Sequence, residues 1–216
     1  MPTGICPMHG LLVLQSRPCP TLGLGRLLLL WPMSFSSIDD ALSQIYLCAD
    51  SELYDEAQSL IAQALEQAPE HPELLYYRAY VYLLQEEVDK AADAFNAYDE
   101  LYPDTLNGLY LRALWNKQAG EYEEAIDCFE HLLAEPDTDR QAEYLYNMAW
   151  CLDEIGKYDE ALAAIEACIA LEEAPNPISW RLRIHLWQQT EPPAVQIDQA
   201  RAAYWQTFPD DAVALL

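Results

Sequence analysis

Basic residues and long apolar runs are both scarce in this sequence. Lys and Arg together number 11 among 216 residues, against 36 Asp and Glu, so the formal net charge is −25. Nucleic acids and anionic membrane surfaces are bound through clustered Lys and Arg, so we expect neither to be a ligand. No apolar run has the roughly 18 residues that a membrane-spanning helix requires, so the sequence predicts no membrane insertion.

Signatures of catalysis and of metal binding are also missing. The six cysteines form no CxxC pair and have no zinc-site spacing to the four histidines. The sequence contains no HExxH motif, no glycine-rich phosphate loop and no Ser/His/Asp arrangement. We therefore predict that the protein is not an enzyme, uses no cofactor and holds no metal ion. Free thiols in a reducing compartment are the simplest interpretation of the cysteines, and they favour a cytoplasmic location.

Acidic residues are absent from the first 32 positions, which marks a boundary in composition. The only charged residues there are Arg17 and Arg26, and the stretch holds four of the seven glycines and five of the fourteen prolines. It has no basic start, and Arg26 and Pro32 interrupt its apolar run, which argues against a secretory signal. We expect residues 1–32 to be a disordered or non-native extension. Translation would then start at Met33, and residues 33–216 would form the working domain.

A four-residue pattern recurs at nearly constant spacing through the rest of the chain. Its last residues lie 34, 34 and 36 positions apart and are Ala57, Ala91, Ala125 and Ala161. Apolar residues at three- and four-residue spacing flank each copy, which predicts two helices and a turn per unit. Hairpins of this length bury their apolar faces by stacking, so the period predicts a helical solenoid.

This repeat resembles the tetratricopeptide repeat (TPR) family. Position 20 of each unit is alanine, position 8 is alanine in three units, and position 24 is a larger apolar residue in all four. Position 15, at the turn, is glycine in two units but Glu52 and Glu86 in the others. The resemblance implies an all-α, right-handed solenoid of helix–turn–helix hairpins. Its repeats would be 38–71, 72–105, 106–141 and 142–175, followed by a degenerate capping pair at 176–208.

The same resemblance implies an inner groove lined by the first helix of each hairpin. Positions 5 and 9 face this groove in the family, and they are one helical turn apart. In this chain they are mostly aromatic, and we expect them to bind a peptide: Leu42, Tyr46, Tyr76, Tyr80, Tyr110, Leu114, Tyr146, Trp150, Trp180 and Ile184. Tyrosine suits a half-wet binding surface because it joins an apolar ring to a hydroxyl. The alternative is that these rings pack between neighbouring repeats or against the chain's own tail.

Acidic residues at positions 2, 12 and 13 would border this groove. The predicted acidic rim consists of Asp39, Glu73, Glu143, Asp153 and Glu154. Acids at position 2 also stabilise the helix dipole, which accounts for part of them. Charge complementarity then predicts a protein or peptide partner with apolar anchors and with Lys or Arg.

One TPR subclass grips the acidic tails of chaperones through a clamp of Lys, Asn and Arg. The corresponding positions here hold Leu42, Tyr46, Tyr77, Asn107 and Leu111. The resemblance therefore does not extend to this carboxylate clamp, and an acidic tail would be repelled from the groove.

We predict a bacterial, cytoplasmic adaptor or scaffold that holds a peptide segment of a partner protein. One narrower alternative is a chaperone of type III secretion, since such proteins are similarly small and acidic, although they usually carry fewer repeats. The other alternative is an envelope-assembly factor, which would require residues 1–32 to act as an export signal.

Overall fold

The computed structural model describes residues 35–135, 139–190 and 194–211, and these ranges contain ten α-helices and no strand. The helices are α1 Ile38–Asp50, α2 Tyr54–Gln67, α3 Pro72–Leu84, α4 Val88–Leu101, α5 Leu106–Ala119, α6 Tyr122–Leu133, α7 Gln141–Glu154, α8 Tyr158–Leu171, α9 Pro177–Gln189 and α10 Ala194–Thr207. The predicted all-α class is confirmed. The extension expected at 1–32 lies outside the described residues. None of the helices in these ranges is both long and apolar enough to cross a membrane.

The chain divides after Cys128 into two compact units. In the first unit, each of the helices α1 to α4 packs against the next one along the chain, and α3 also contacts α1 and α5. In the second unit, α7 packs on α8, α8 on α9 and α9 on α10, and α7 also contacts α9. Within each unit, therefore, consecutive hairpins pack side by side, and their first helices touch one another.

The turns of the four repeats all place a left-handed residue at position 15. These residues, with φ between 59° and 82°, are Glu52, Glu86, Gly120 and Gly156. In every one of these turns, the N–H of the next residue donates to the carbonyl five residues earlier, as from Leu53 to Cys48 at 2.8 Å. This bond closes the first helix, and the second helix begins one residue later. The backbone is therefore the same whether the residue is glycine or glutamate.

Small residues lie where the two helices of a hairpin face each other. The position-8 alanines and the position-20 alanines are buried: Ala57, Ala79, Ala91, Ala113, Ala125, Ala149 and Ala161. Position 24 supplies the larger buried side chains, which are Ile61, Phe95, Phe129 and Ile165. A methyl group lets the helices approach closely, and the larger residues fill the remaining space to the density of a protein core.

Replacing Glu86 with glycine should stabilise the protein, because a left-handed conformation costs a non-glycine residue about 1–2 kcal/mol. Part of that gain is offset by the greater freedom of glycine in the unfolded chain. We expect Glu86→Gly to raise the free energy of unfolding by about 0.5 kcal/mol, measured by urea denaturation.

Two further variants serve as controls for this prediction. Glu86→Gln removes the charge but keeps the side chain at positive φ, so it should not reproduce the gain. Gly120→Ala should destabilise the protein by about 1 kcal/mol, because alanine is strained at a φ of 82°. No clash contributes to this loss, since the added Cβ meets open space. Equal stability of Glu86→Gly and Glu86→Gln would contradict the role of the backbone.

Ala125→Leu should destabilise the protein by overpacking, by about 1–3 kcal/mol. Ala125 is fully buried in α6, so three additional carbon atoms must displace their neighbours. The matched control is Ala163→Leu, at an exposed position of α8, which should leave the melting temperature nearly unchanged. Equal melting temperatures of the two variants would contradict the position assigned to Ala125.

Candidate functional site

In the first unit, the predicted groove residues divide into a buried set and a half-buried set. Tyr76 and Tyr80 on α3 are 3% and 4% exposed, and Tyr110 on α5 is 1% exposed. Leu42 and Tyr46 on α1 are half-buried, as is Leu114 on α5. Among these residues, the half-buried set is therefore the part that an outside ligand reaches without rearrangement.

The burial of the tyrosines on α3 follows from the composition of that helix. Eight of its thirteen residues are buried, because apolar side chains surround its whole circumference. The rings of Tyr76 and Tyr80 lie parallel, with centroids 5.8 Å apart, and Tyr76 also meets the edge of Tyr98 at 6.4 Å. These tyrosines thus take part in the packing that sequence analysis left open as the alternative to an open groove.

Tyr46 lies close to a carboxylate on its own helix. Burial raises the pKa of its hydroxyl, and the negative charge of Asp50, one turn further along α1, raises it further. Asp50 is exposed, whereas the tyrosine ring is half-buried. An apolar ring next to an anion is an arrangement that attracts Lys or Arg, through the face of the ring and through the carboxylate together.

In the second unit, the predicted groove residues again differ in burial. Tyr146 and Trp150 on α7 and Trp180 on α9 are half-buried. Ile184 is 2% exposed and belongs to the core of the last hairpin, together with Ala200 and Tyr204. Ile184 therefore lies in the core and not on the predicted groove, because α10 covers the face of α9 that carries it.

The aromatic residues of the second unit are also tied to neighbouring charges. Burial raises the pKa of Tyr146, while the positive charge of Arg181 on α9 opposes that shift. The ring of Trp180 packs edge-on against Phe208 at 5.7 Å, and the guanidinium of Arg183 lies 4.4 Å from its centroid. Trp180 therefore contributes to the last hairpin as well as to its surface.

The acidic rim is exposed only in part. Asp39 and Glu154 are exposed, and Glu73 and Asp153 are half-buried. The carboxylate of Asp153 lies 3.2 Å from Nε2 of His185 on α9.

Glu143 was predicted to lie on the acidic rim, but it is only 9% exposed. Its carboxylate accepts a hydrogen bond from Nε of Arg140 at 2.8 Å, at the start of α7. A buried carboxylate requires such a partner, because burying an isolated charge is costly. Glu143 therefore offsets a cation of its own chain and is not available to a ligand.

A polar cluster between α8 and α9 was not predicted from the sequence. The hydroxyl of Ser179 and the backbone N–H of Asn176 both donate to the carboxylate of Glu172. Sγ of Cys168 lies 3.7 Å from the same carboxylate and 3.9 Å from the hydroxyl of Ser179. The residues come from two helices and the loop between them, and no motif in the sequence connects them.

This cluster holds a thiol that is poorly suited to catalysis. Burial, reinforced by the charge of Glu172, raises the pKa of Cys168 to about 12. The thiol therefore stays protonated near neutral pH, whereas the thiolate is the nucleophile. Asn176 also caps α9 by accepting from the N–H of Ile178. The arrangement fixes the loop before α9, and within the described ranges no group of side chains is placed to hold a metal ion.

Glu172 should make stability depend on pH. Burial raises its pKa above the usual 4.5 despite its hydrogen bonds, so the folded state holds this proton more tightly than the unfolded chain. Its contribution is then fully present below about pH 4.5 and is lost as pH rises through the folded-state pKa. We expect Glu172→Gln to gain stability relative to the parent between about pH 4 and pH 7, measured by guanidinium denaturation.

The exposed neighbour Glu173 provides the control for this measurement. Glu173→Gln removes the same charge from the same loop without touching the cluster, so its stability relative to the parent should vary less with pH. If both variants changed equally with pH, overall charge and not the cluster would be responsible.

Comparison with known proteins gives two family matches. Models of the tetratricopeptide repeat match residues 49–104 and residues 142–175. No curated protein sequence matches the chain significantly.

Solved structures share the fold at low sequence identity. A thermophilic TPR protein of Thermus thermophilus is 19% identical with a TM-score of 0.67, and the match covers 81% of this chain and 93% of that one. A TPR protein of Parabacteroides merdae is 21% identical with a TM-score of 0.64, covering 82% and 66%. Pseudomonas aeruginosa PilF is 14% identical with a TM-score of 0.64, covering 82% and 77%.

Proposed function

Because the chain belongs to the tetratricopeptide repeat family, whose fold serves protein–protein interaction, we propose that it is an adaptor that holds a peptide segment of a partner protein. Each unit offers its own proposed surface, which is the inner face of its first helices: α1, α3 and α5 in one unit, and α7 and α9 in the other. The proposed contacts are Leu42, Tyr46, Leu114, Tyr146, Trp150 and Trp180. The observation that carries this proposal is the half-burial of aromatic side chains on these first helices, as at Tyr46, together with exposed acids on the same helices, as at Asp50.

The buried tyrosines have a different role in this proposal. Tyr76, Tyr80 and Tyr110 support the surface from below, since they lie on α3 and α5 and are nearly inaccessible. Truncating a buried aromatic residue costs about 3–5 kcal/mol, so these residues hold the accessible side chains in place.

Charge specifies the kind of partner. The exposed or half-buried acids beside the contacts are Asp39, Asp50, Glu73, Asp153 and Glu154. With a net charge of −25, the protein attracts a segment whose apolar anchors alternate with Lys or Arg. The secretion-chaperone and envelope-assembly roles are narrower forms of this activity, and the identity of the captured partner distinguishes between them.

The double variant Tyr46→Ala/Trp150→Ala should reduce partner capture by about tenfold or more, because large aromatic residues dominate the energy of binding surfaces. The measurement is a pull-down from the native host with the full chain, quantified by mass spectrometry. The helical signal and melting temperature of the variant are recorded alongside, so that loss of folding is distinguished from loss of binding.

The matched control is Leu101→Ala/Leu171→Ala. Both leucines are large, apolar and exposed, and both lie at the ends of second helices, away from the proposed surface. The control should capture the partner as well as the parent does. Equal capture by both double variants, with folding intact, would rule out the inner face as the binding surface.

A further inference from the structure

A cleft between α2 and α3 contains an arginine whose buried Nε has no partner among the described residues. The cleft has a volume of about 370 Å³, and Ile61, Leu65, Glu66, Arg78 and Tyr82 are among its lining residues. None of the residues proposed for the inner face lines it. It is therefore a surface separate from the inner face.

The side chain of Arg78 lacks an acceptor. Its Nε is buried and has no hydrogen-bond partner, and in the described ranges no carboxylate forms an ion pair with it. Gln58 does bond to this residue, but its side chain donates to the backbone carbonyl, at 3.2 Å. A buried donor left without an acceptor costs about 1–3 kcal/mol, which a ligand that supplies the acceptor would recover.

The next repeat shows what such an arginine binds when a partner is present. Arg112 occupies the same position 7, and its Nη2 lies 3.5 Å from the carboxylate of Asp99, with its guanidinium over the ring of Phe95. Asp99 and Phe95 correspond, 34 residues earlier, to Leu65 and Ile61. The apolar residue is thus kept beside Arg78, as Ile61, but a leucine, Leu65, stands where Arg112 has the carboxylate of Asp99. Leu65 therefore supplies no carboxylate to Arg78, and Glu66, which lines the same cleft, forms no ion pair with it in the described ranges.

We propose that this cleft binds the side-chain carboxylate of an Asp or Glu on a helical segment of a partner protein. The carboxylate pairs with Arg78, and an adjacent aliphatic side chain packs on Leu65 and Tyr82. Asp99 binds Arg112 through a side-chain carboxylate on a helix. By analogy, a helical Asp or Glu is favoured over a chain terminus as the ligand of Arg78. The charge of Glu66, which lines the same cleft, opposes any incoming carboxylate, so the segment carries a single one at this point.

The strongly acidic chain does not prevent this binding. Charges further away than the Debye length, which is about 8 Å at physiological ionic strength, are largely screened. Lys90 lies 5.6 Å from the ring centroid of Tyr82, but its ammonium is paired with Glu87, so Arg78 is the cation that serves this cleft. The site therefore offers the cation of Arg78 where the proposed inner face offers acids, and it selects a different part of a partner.

The test uses the full chain and two capped helical peptides that differ only in one Glu or Gln beside leucines. The readout is the NMR resonance of the Arg78 Nε–H at physiological ionic strength. We expect a saturable shift with the Glu peptide and none with the Gln peptide. Equal shifts with both peptides, or an equal shift at matched concentrations of acetate or of a peptide whose only carboxylate is its C-terminus, would overturn the proposal.

Two variants then test the arginine itself by calorimetric titration with the Glu peptide. Arg78→Gln removes the cation, and Leu65→Asp supplies the internal carboxylate that Asp99 supplies to Arg112. Both should weaken binding by about tenfold or more, as expected for a charged hydrogen bond, while Arg112→Gln should bind like the parent. Unchanged affinity of Leu65→Asp for the Glu peptide would overturn the proposal. If a variant fails to fold, the comparison of the Glu and Gln peptides with the parent chain still tests it.

Discussion

The left-handed residue at each repeat's turn is the constraint on which the rest of this structure depends. It lets the N–H of position 16 reach the carbonyl of position 11, so that one helix ends and the next begins within a few residues. A turn this short fixes the register between the two helices. That register places the small residues at positions 8 and 20 in the interior, where the helices approach closely, and directs the remaining positions to the other surfaces.

A repeated backbone with an unequal sequence leaves different surfaces in different repeats. At position 5, Leu42 is half-buried whereas Tyr76 is buried, because α3 contacts helices on several sides while α1 belongs to the first hairpin described. At position 7, Arg112 has a carboxylate partner whereas Arg78 has none in the described part of the chain, because one repeat carries Asp99 where the preceding one carries Leu65. The differences between repeats, and not the features they share, therefore determine where partners can bind.

Two carboxylates of limited accessibility in this acidic chain are paired with groups of their own unit. Glu143 binds Arg140, and Glu172 accepts from Ser179 and Asn176, so both carboxylates are occupied within their own unit. Cys168 lies beside the carboxylate of Glu172, and burial raises the pKa of its thiol, which therefore stays protonated. These groups order local structure, and the exposed acids remain available for interaction.

The sequence by itself determined the helices, their pairing into hairpins and the buried alanines, because these follow from local periodicity and from side-chain size. It also indicated the turns, although Glu52 and Glu86 gave no sign of positive φ and only the repeat position linked them to Gly120 and Gly156. Only the tertiary structure decided which predicted groove residues are accessible, since the exposure of Tyr80 or Ile184 depends on neighbouring helices. It also brought together Cys168, Glu172 and Ser179 and left the buried Nε of Arg78 without an acceptor among the described residues, because such contacts join residues that no local pattern relates.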